Sequence, residues 1–220
     1  NDLANAEAAV SLGGLQASGY LKISAPAGFG RQHVAPLVGD FMRANPEVTV
    51  NLNLSDRIVD LINENIDCAV RIGELSDSSL VSVRLGEMRR MVVASPAYLV
   101  AHGVPRTPAD LARHDCLVVR ENGGDTGQGQ RFDQWWLSQA DGSRRTAVSV
   151  SGRLSSNSGE LVRDWCLAGH GIMLRSLWDV AASLARGELE RVLPDWAMHD
   201  ADVHWMAPYR APMPLRLREL

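Results

Sequence analysis

Residues 19–56 read GYLKISAPAGFGRQHVAPLVGDFMRANPEVTVNLNLSD, and their pattern decides the fold class. Residues 20–25 alternate as a strand, and Ser24-Ala25-Pro26-Ala27-Gly28-Phe29-Gly30 follows as a small-residue turn. Val34, Leu37, Val38 and Phe41 then recur at i, i+3, i+4, i+7, which is one face of an amphipathic helix. Asn45-Pro46 ends that helix. Val48, Val50, Leu52 and Leu54 alternate with Thr49, Asn51 and Asn53 as a second strand. A turn of this kind sets backbone N–H groups at a helix N-terminus beside the C-terminal end of a strand. Open α/β folds take small, often anionic, ligands there.

The pattern continues outward. Asp56 is placed to cap a short helix carrying Ile58, Leu61 and Ile62, and residues 68–72, 80–85 and 91–95 read as strands. Ser95-Pro96 is an N-cap followed by Pro at the first helical position, and Gly103 closes that helix. Thr107 and Asp110 have capping-box spacing, as do Asn157 and Glu160, and Ser176 and Asp179. Residues 116–120 form a strand and 121–130, with four glycines, a loop. Residues 131–137 and 146–154 are expected to pair across an Asp141-Gly142 hairpin turn. A helix bearing Leu161, Val162 and Trp165 is broken by Gly169-His170-Gly171; strand 172–175 and a helix ended by Gly187 follow, then a last strand at 203–207. Strands alternating with helices imply βαβ units and a largely parallel sheet, in two α/β blocks that meet at Ser95.

Composition bounds the function. At 45% hydrophobic residues the chain of 220 can bury a sizeable core. The formal net charge of -4 argues against a domain that binds DNA by itself, and Arg89-Arg90 and Arg144-Arg145 are short, isolated pairs. Cys68, Cys116 and Cys166 are odd in number, far apart and in apolar surroundings, which reads as buried thiols in a reducing compartment. Clustered Cys and His for zinc are missing, as is an apolar run long enough to span a membrane. The first residues, with Asp2 and Glu7, do not form a signal peptide.

Four places invite a ligand. The Ser24–Gly30 turn offers a hydroxyl and helix-start N–H groups, although an ordinary strand-to-helix turn looks the same; Gly28-Phe29-Gly30 falls short of a dinucleotide fingerprint. Ser155-Ser156-Asn157-Ser158 is the equivalent turn of the second block, and helix capping there is compatible with ligand contact. Arg71, in an otherwise apolar strand, either faces an edge or is paired near a cleft, and Arg175 poses the same choice. An arginine in a cleft suits a carboxylate. His170 reads as an exposed turn histidine, Asp200 and Asp202 as surface loop. Trp135 and Trp136 fall on opposite faces of a strand, so at least one is core or interface, and Trp165 and Trp178 read as core. No nucleophile–base pair is apparent, so no catalytic residue and no metal ligand is assigned.

Four segments together carry a resemblance: GYLKISAPAGFGRQHVAPL from Gly19, LSDRIVDLINENIDCAVRIGELSDSSL from Leu54, ASPAYLVAHGVP from Ala94 and SNSGELVRDWCLAGHGI from Ser156. In this order and spacing the chain resembles the effector-binding domain of LysR-type bacterial transcriptional regulators, from Gly19 to the C-terminus. The resemblance implies two Rossmann-like subdomains joined by two crossover strands, a periplasmic-binding-protein-like α/β fold. It implies an inducer, a small organic acid or aromatic metabolite, lying between them. Ser24, Ala25, Pro26, Gly28, Phe29, Arg71 with Ile72, Ser95 near the hinge, Ser156, Asn157 and Ser158 would line that cleft. One departure stands out: many relatives have proline where this chain has Ser176, so the resemblance leaves open whether the neighbouring Arg175 reaches the cleft.

The resemblance further implies a head-to-tail homodimer of this domain and a tetramer of the full-length protein in the cytoplasm. DNA would be bound only through an N-terminal winged helix-turn-helix that this sequence lacks, and no cofactor or membrane is involved. Residues 1–14 are expected to be the end of a linker helix, 15–95 the first part of subdomain I, 96–202 subdomain II and 203–220 the return to subdomain I. Residues 215–220 look like the start of a helix that continues in relatives. A free-standing solute receptor of the periplasmic type shares the two-lobed logic and is the alternative. A small enzyme comes last.

Overall fold

The computed structural model describes residues 17–57, 59–73, 80–120, 133–209, 214–218 and 220. The linker-helix end expected at 1–14 lies entirely outside them, as do Ile58, the loop at 121–130 and Arg131. The first elements are β1 (Gly19–Ala25), α1 (Ala27–Phe29), a π turn (Gly30–Val34), α2 (Ala35–Ala44), β2 (Val48–Leu54), β3 (Cys68–Ile72) and β4 (Leu80–Gly86). Then come β5 (Arg90–Ala94), α3 (Pro96–His102), a 3-10 helix (Pro108–Arg113), β6 (Cys116–Val119), β7 (Gln134–Gln139), β8 (Arg145–Ser149) and β9 (Ser155–Ser156). The last are α4 (Gly159–Leu167), β10 (Ile172–Ser176), α5 (Leu177–Ala185), β11 (Glu190–Arg191), β12 (Trp196–Met198), β13 (Val203–Pro208) and α6 (Leu215–Arg218). The chain divides into two compact units, with Asn1–Arg71, Leu75–Arg84 and His204–Leu220 in one and Ile72–Glu74 and Leu85–Val203 in the other.

The first unit is a five-stranded sheet in the order β2-β1-β3-β13-β4. β1 pairs parallel with β2 from Gly19↔Val48 to Ala25↔Leu54, and parallel with β3 at Ile23↔Cys68 and Ser24↔Ala69. Leu21, Ile23, Val48, Cys68 and Ala207 form its core, with Val38, Phe41 and Met42 of α2 packed against it. The helix presents the stripe expected from its spacing except at one position: Val34 is buried and Val38 and Phe41 pack on the core, but Leu37 is 67% exposed. The π turn explains this. Ala35 N–H reaches back to Gly30 C=O, and the following Pro36 has no N–H to give. The extra residue per turn shifts the phase, so Met42 packs inward where Leu37 was expected. The expected helix after Asp56 is also absent among the described residues. Asp60 instead closes a turn, accepting from Ile62 N–H at 3.0 Å and Asn63 N–H at 2.9 Å.

The second unit has an eight-stranded sheet in the order β8-β7-β12-β5-β10-β6-β9, with β11 also on β5. Here the expected largely parallel sheet is corrected. β10 is parallel to β6 and β6 to β9, but β5 is antiparallel to β10, β11 and β12, and β7 to β8 and β12. The change of polarity starts at the β5–β10 pair, whose strands are far apart in sequence, and continues through β11 and β12, which at two and three residues are too short for alternation to register. Both faces are covered. Val92 and Ala94 of β5 face one cluster with Tyr98, Leu111 and Trp135, while Met91 and Val93 face another with Val162, Met173 and Val180. That is why Met91-Val92-Val93-Ala94 is an unbroken apolar run.

Caps set the helix boundaries. Ser95 Oγ accepts from Tyr98 N–H at 3.3 Å to start α3, and Gly103 ends it at φ 84°. The Asp110 carboxylate accepts from Thr107 N–H at 2.8 Å, as the spacing predicts, but the helix it starts is 3-10. Asp110 is held down to about 2 by the N–H groups of Thr107 and Arg106. Two other capping boxes are not formed. Ser158, not Asn157, caps α4, because its hydroxyl accepts from Leu161 N–H at 3.3 Å. Ser176 stands at the N-cap of α5 without a side-chain bond, and Asp179 is bonded to arginines instead. Trp135 is buried, whereas Trp136 is 44% exposed, with the Arg145 guanidinium 5.4 Å from its ring.

Candidate functional site

In the first unit β1 is a central strand, so the turn after it begins inside the sheet. Ser24 and Ala25 are fully buried, at 0% exposure. Arg71 lies two residues beyond Ala69, the β3 partner of Ser24, and so points to the same face. Its Nη2 donates to Ser24 Oγ at 3.0 Å. The neighbouring Ile72 is half-buried. Pro26 has no side chain to cap the helix start, and Asp56 does it from 29 residues away: its carboxylate accepts from Ala27 N–H at 2.8 Å. Gly30 N–H closes on Pro26 C=O at 2.7 Å. A Cβ on Gly30 would stand 2.4 Å from Leu54 Cδ2 and 2.8 Å from Ala25 Cβ, so helix and sheet meet only because this residue is glycine. Gly28 is buried, and the half-buried Phe29 ring packs 4.8 Å from His33.

In the second unit the equivalent turn leaves β9 for α4. Ser156 Oγ accepts from Ser158 N–H at 3.1 Å, and Asn157 is exposed. Arg175, near the end of β10, lies over the first residue of α4. A Cβ on Gly159 would stand 2.2 Å from its Nη1 and 2.4 Å from its Nη2. Arg175 Nε donates to Asp179 Oδ2 at 2.6 Å, and Arg163 Nη1 donates to Asp179 Oδ1. The Asp179 side chain is only 1% exposed, against 17% for Arg175 and 22% for Arg163. Arg163 Nη2 also reaches the exposed Asp164 Oδ1 at 3.5 Å, so the two guanidiniums share one buried and one exposed carboxylate. Ser95, in the same unit, is 3% exposed and its hydroxyl is spent on the α3 cap.

The structure thus brings Ser24, Ala25, Pro26, Gly28, Phe29 and Arg71 together in one unit, and Ser156, Asn157, Ser158 and Arg175 in the other. Four residues at these turns were not assigned to them from sequence: Gly159 and Arg163, and Asp56 and Asp179, which were read only as helix-capping residues. Only the Arg175–Asp179 spacing of four, a helical ion-pair interval, was a local signal.

Elsewhere the chemistry is quiet. Burial raises the thiols of Cys68, Cys116 and Cys166 to about 12, which keeps them protonated and poor nucleophiles. Among the described residues no group of three His, Cys, Asp or Glu is placed to hold a metal ion, and no helix is long and apolar enough to cross a membrane. A surface groove of about 400 Å³ is lined by Arg113, His114, Asp115 and Arg153, and none of the turn residues reaches it. Arg113 and Arg153 are already paired with Asp110 and Asp115.

Comparison with known proteins gives the family. Residues 15–220 match the family described as LysR substrate binding domain. The chain is 42% identical over 195 residues to the HTH-type transcriptional activator TtdR of Escherichia coli, covering 89% of this chain and 59% of TtdR. It is 40% identical over 178 residues to the regulator DmlR of Escherichia coli K12, covering 81% of this chain and 55% of DmlR. The chain therefore spans little more than half the length of these relatives. The regulatory domain of CrgA, a LysR-type transcriptional regulator of Neisseria meningitidis, superposes with a TM-score of 0.73 at 30% identity, covering 91% of this chain and 94% of that one. Full-length AphB of Vibrio cholerae, described as a virulence activator, gives 0.77 at 28%, covering 99% and 71%. These relatives are regulators, and the solute-receptor alternative is not favoured. The chain belongs to the LysR family, as a substrate-binding domain of α/β, periplasmic-binding-protein-like fold.

Proposed function

We infer that this chain is the effector-sensing part of a bacterial DNA-binding transcriptional regulator. It binds a small anionic or aromatic metabolite at the turns that follow β1 and β9, and it does not turn that metabolite over. The observation that carries the reading is the pair of strand-to-helix turns, each approached by an arginine from another strand, in a chain matched by the LysR substrate-binding domain from residue 15 to 220. Ligand would shift the population of conformations, and the shift would reach DNA through a winged helix-turn-helix in the full-length protein. That protein works in the cytoplasm. A homodimer of this domain, and a tetramer of the full-length chain, is supported by β2, an edge strand, and by Leu37 left exposed on the adjoining α2.

The test is a thermal-shift screen of the chain against small carboxylic and aromatic acids, with mass spectrometry of the same wells. An effector at 100 times its dissociation constant should raise the midpoint by roughly 5–10 °C, with the compound recovered intact. Ser156→Ala should weaken the shift. Consumption of the compound would replace this reading with an enzyme, and no shift from any acid would overturn it.

A further inference from the structure

We propose that Gly159, Asp179 and Arg163 hold the Arg175 guanidinium as a fixed carboxylate-binding fork, which makes a carboxylate the ligand class of the second unit. The proposal rests on the effector-binding reading above and names the chemistry of one of its two turns.

A guanidinium has five N–H donors, and a carboxylate takes two of them best in parallel. Arg175 spends Nε on Asp179, and neither Nη has an acceptor among the described residues. Three contacts fix where those Nη groups stand. Asp179 holds the Nε side, the glycine at 159 leaves the space they occupy, and Trp178 lies with its ring 6.0 Å from Cζ. Asp179 by itself would cancel the charge of Arg175. Arg163, bonded to the other carboxylate oxygen, shares that buried charge, and its own second partner, Asp164, is 62% exposed and screened by solvent. A buried aspartate shared by two arginines therefore orients the fork without neutralising it. Arg175 would touch the ligand; Gly159, Asp179 and Arg163 are positioning residues that act through it.

Gly159→Ala separates position from charge. The added methyl keeps every charged group and favours the helix, but it must displace the guanidinium. The experiment is a residue-resolved NMR titration with sodium malonate, set against sodium chloride of equal ionic strength, on wild type, Gly159→Ala, Arg175→Gln and Arg163→Lys. In wild type malonate should shift the Arg175 Nε–H signal and the Ser158, Gly159 and Glu160 amides. Gly159→Ala and Arg175→Gln should each weaken binding by about tenfold, the loss of one charge-assisted hydrogen bond, with the thermal midpoint of Gly159→Ala unchanged or raised. Arg163→Lys should retain part of the affinity, because it keeps the charge. Equal malonate affinity in wild type and Gly159→Ala would overturn the proposal. A malonate response confined to Ala27, Gly28 and Phe29 would overturn it too and leave the effector-binding reading standing. No malonate response anywhere would overturn the fork, while the effector reading would still be judged by the acid screen.

Discussion

The turn after β1 and the turn after β9 look alike in sequence and differ in what their donors are doing. In the first unit the chain has supplied its own anion: Asp56 sits on Ala27 N–H, and Arg71 is bonded to a Ser24 hydroxyl that no solvent reaches. In the second unit two serines do the capping, and the arginine over the helix start has no acceptor for either Nη among the described residues. A helix N-terminus is thus only as receptive as its own side chains leave it. A ligand at the first turn has to displace a carboxylate, whereas a ligand at the second meets an oriented cation.

The contrast can be attacked by substitution. Asp179→Ala should cost the most, about 3 kcal/mol, because it leaves two part-buried guanidiniums without their shared partner. Urea denaturation would show it as a lower midpoint with an unchanged slope. Gly30→Ala should cost about 2 kcal/mol through overpacking against Leu54 and Ala25. Gly159→Ala, with an equally close approach, should cost nothing, since what it meets is the far end of a long side chain rather than a packed core. Equal losses for the two glycines would erase the distinction between a closed turn and an open one. Asp56→Ala should cost about 1 kcal/mol as a lost cap, and should also open the first turn to added carboxylates, visible as malonate shifts at Ala27 that wild type lacks.

Acid should act away from both turns. The Tyr98 hydroxyl accepts from Asp115 N–H and is hydrogen-bonded to His114 Nδ1 at 3.2 Å; it can give its own hydrogen to that nitrogen only while the ring is neutral. Burial lowers the His114 pKa in agreement. A lowered histidine pKa means the unfolded state takes the proton first, so this contribution is present above about 6.5 and is lost as pH falls below it. The effect should be the smallest of the set. His114→Gln should flatten the stability profile between about pH 6.5 and 5 while leaving malonate binding unchanged, as a melting series across that range would show.

Much of this was legible in the chain, for local reasons. β2 and β3 begin and end where alternation starts and stops, and Ser95-Pro96 marks the start of α3 as read. The helix after β1 misled at Leu37 because its periodicity assumes 3.6 residues per turn throughout, and a π turn precedes it. The polarity of the second sheet rests on pairings such as Ala197↔Met91, which two short strands do not announce. The site followed the same rule. Both turns were found because Ser, Gly and Pro punctuate them within a few residues. The pairings across them were not, although Arg71 itself was singled out, because Arg71 reaches Ser24 across 47 residues, Asp56 reaches Ala27 across 29, and Arg163 reaches Asp179 across 16. Asp179 lies at the capping interval from Ser176 and at the ion-pair interval from Arg175, and spacing does not choose between them; burial beside two arginines does.

The most direct test is amide hydrogen exchange, resolved by residue, in malonate against chloride at equal ionic strength. The account predicts added protection at Gly159, Glu160 and Leu161 and little at Ala27, Gly28 and Phe29. Equal protection of both turns, or protection of the first alone, would contradict it.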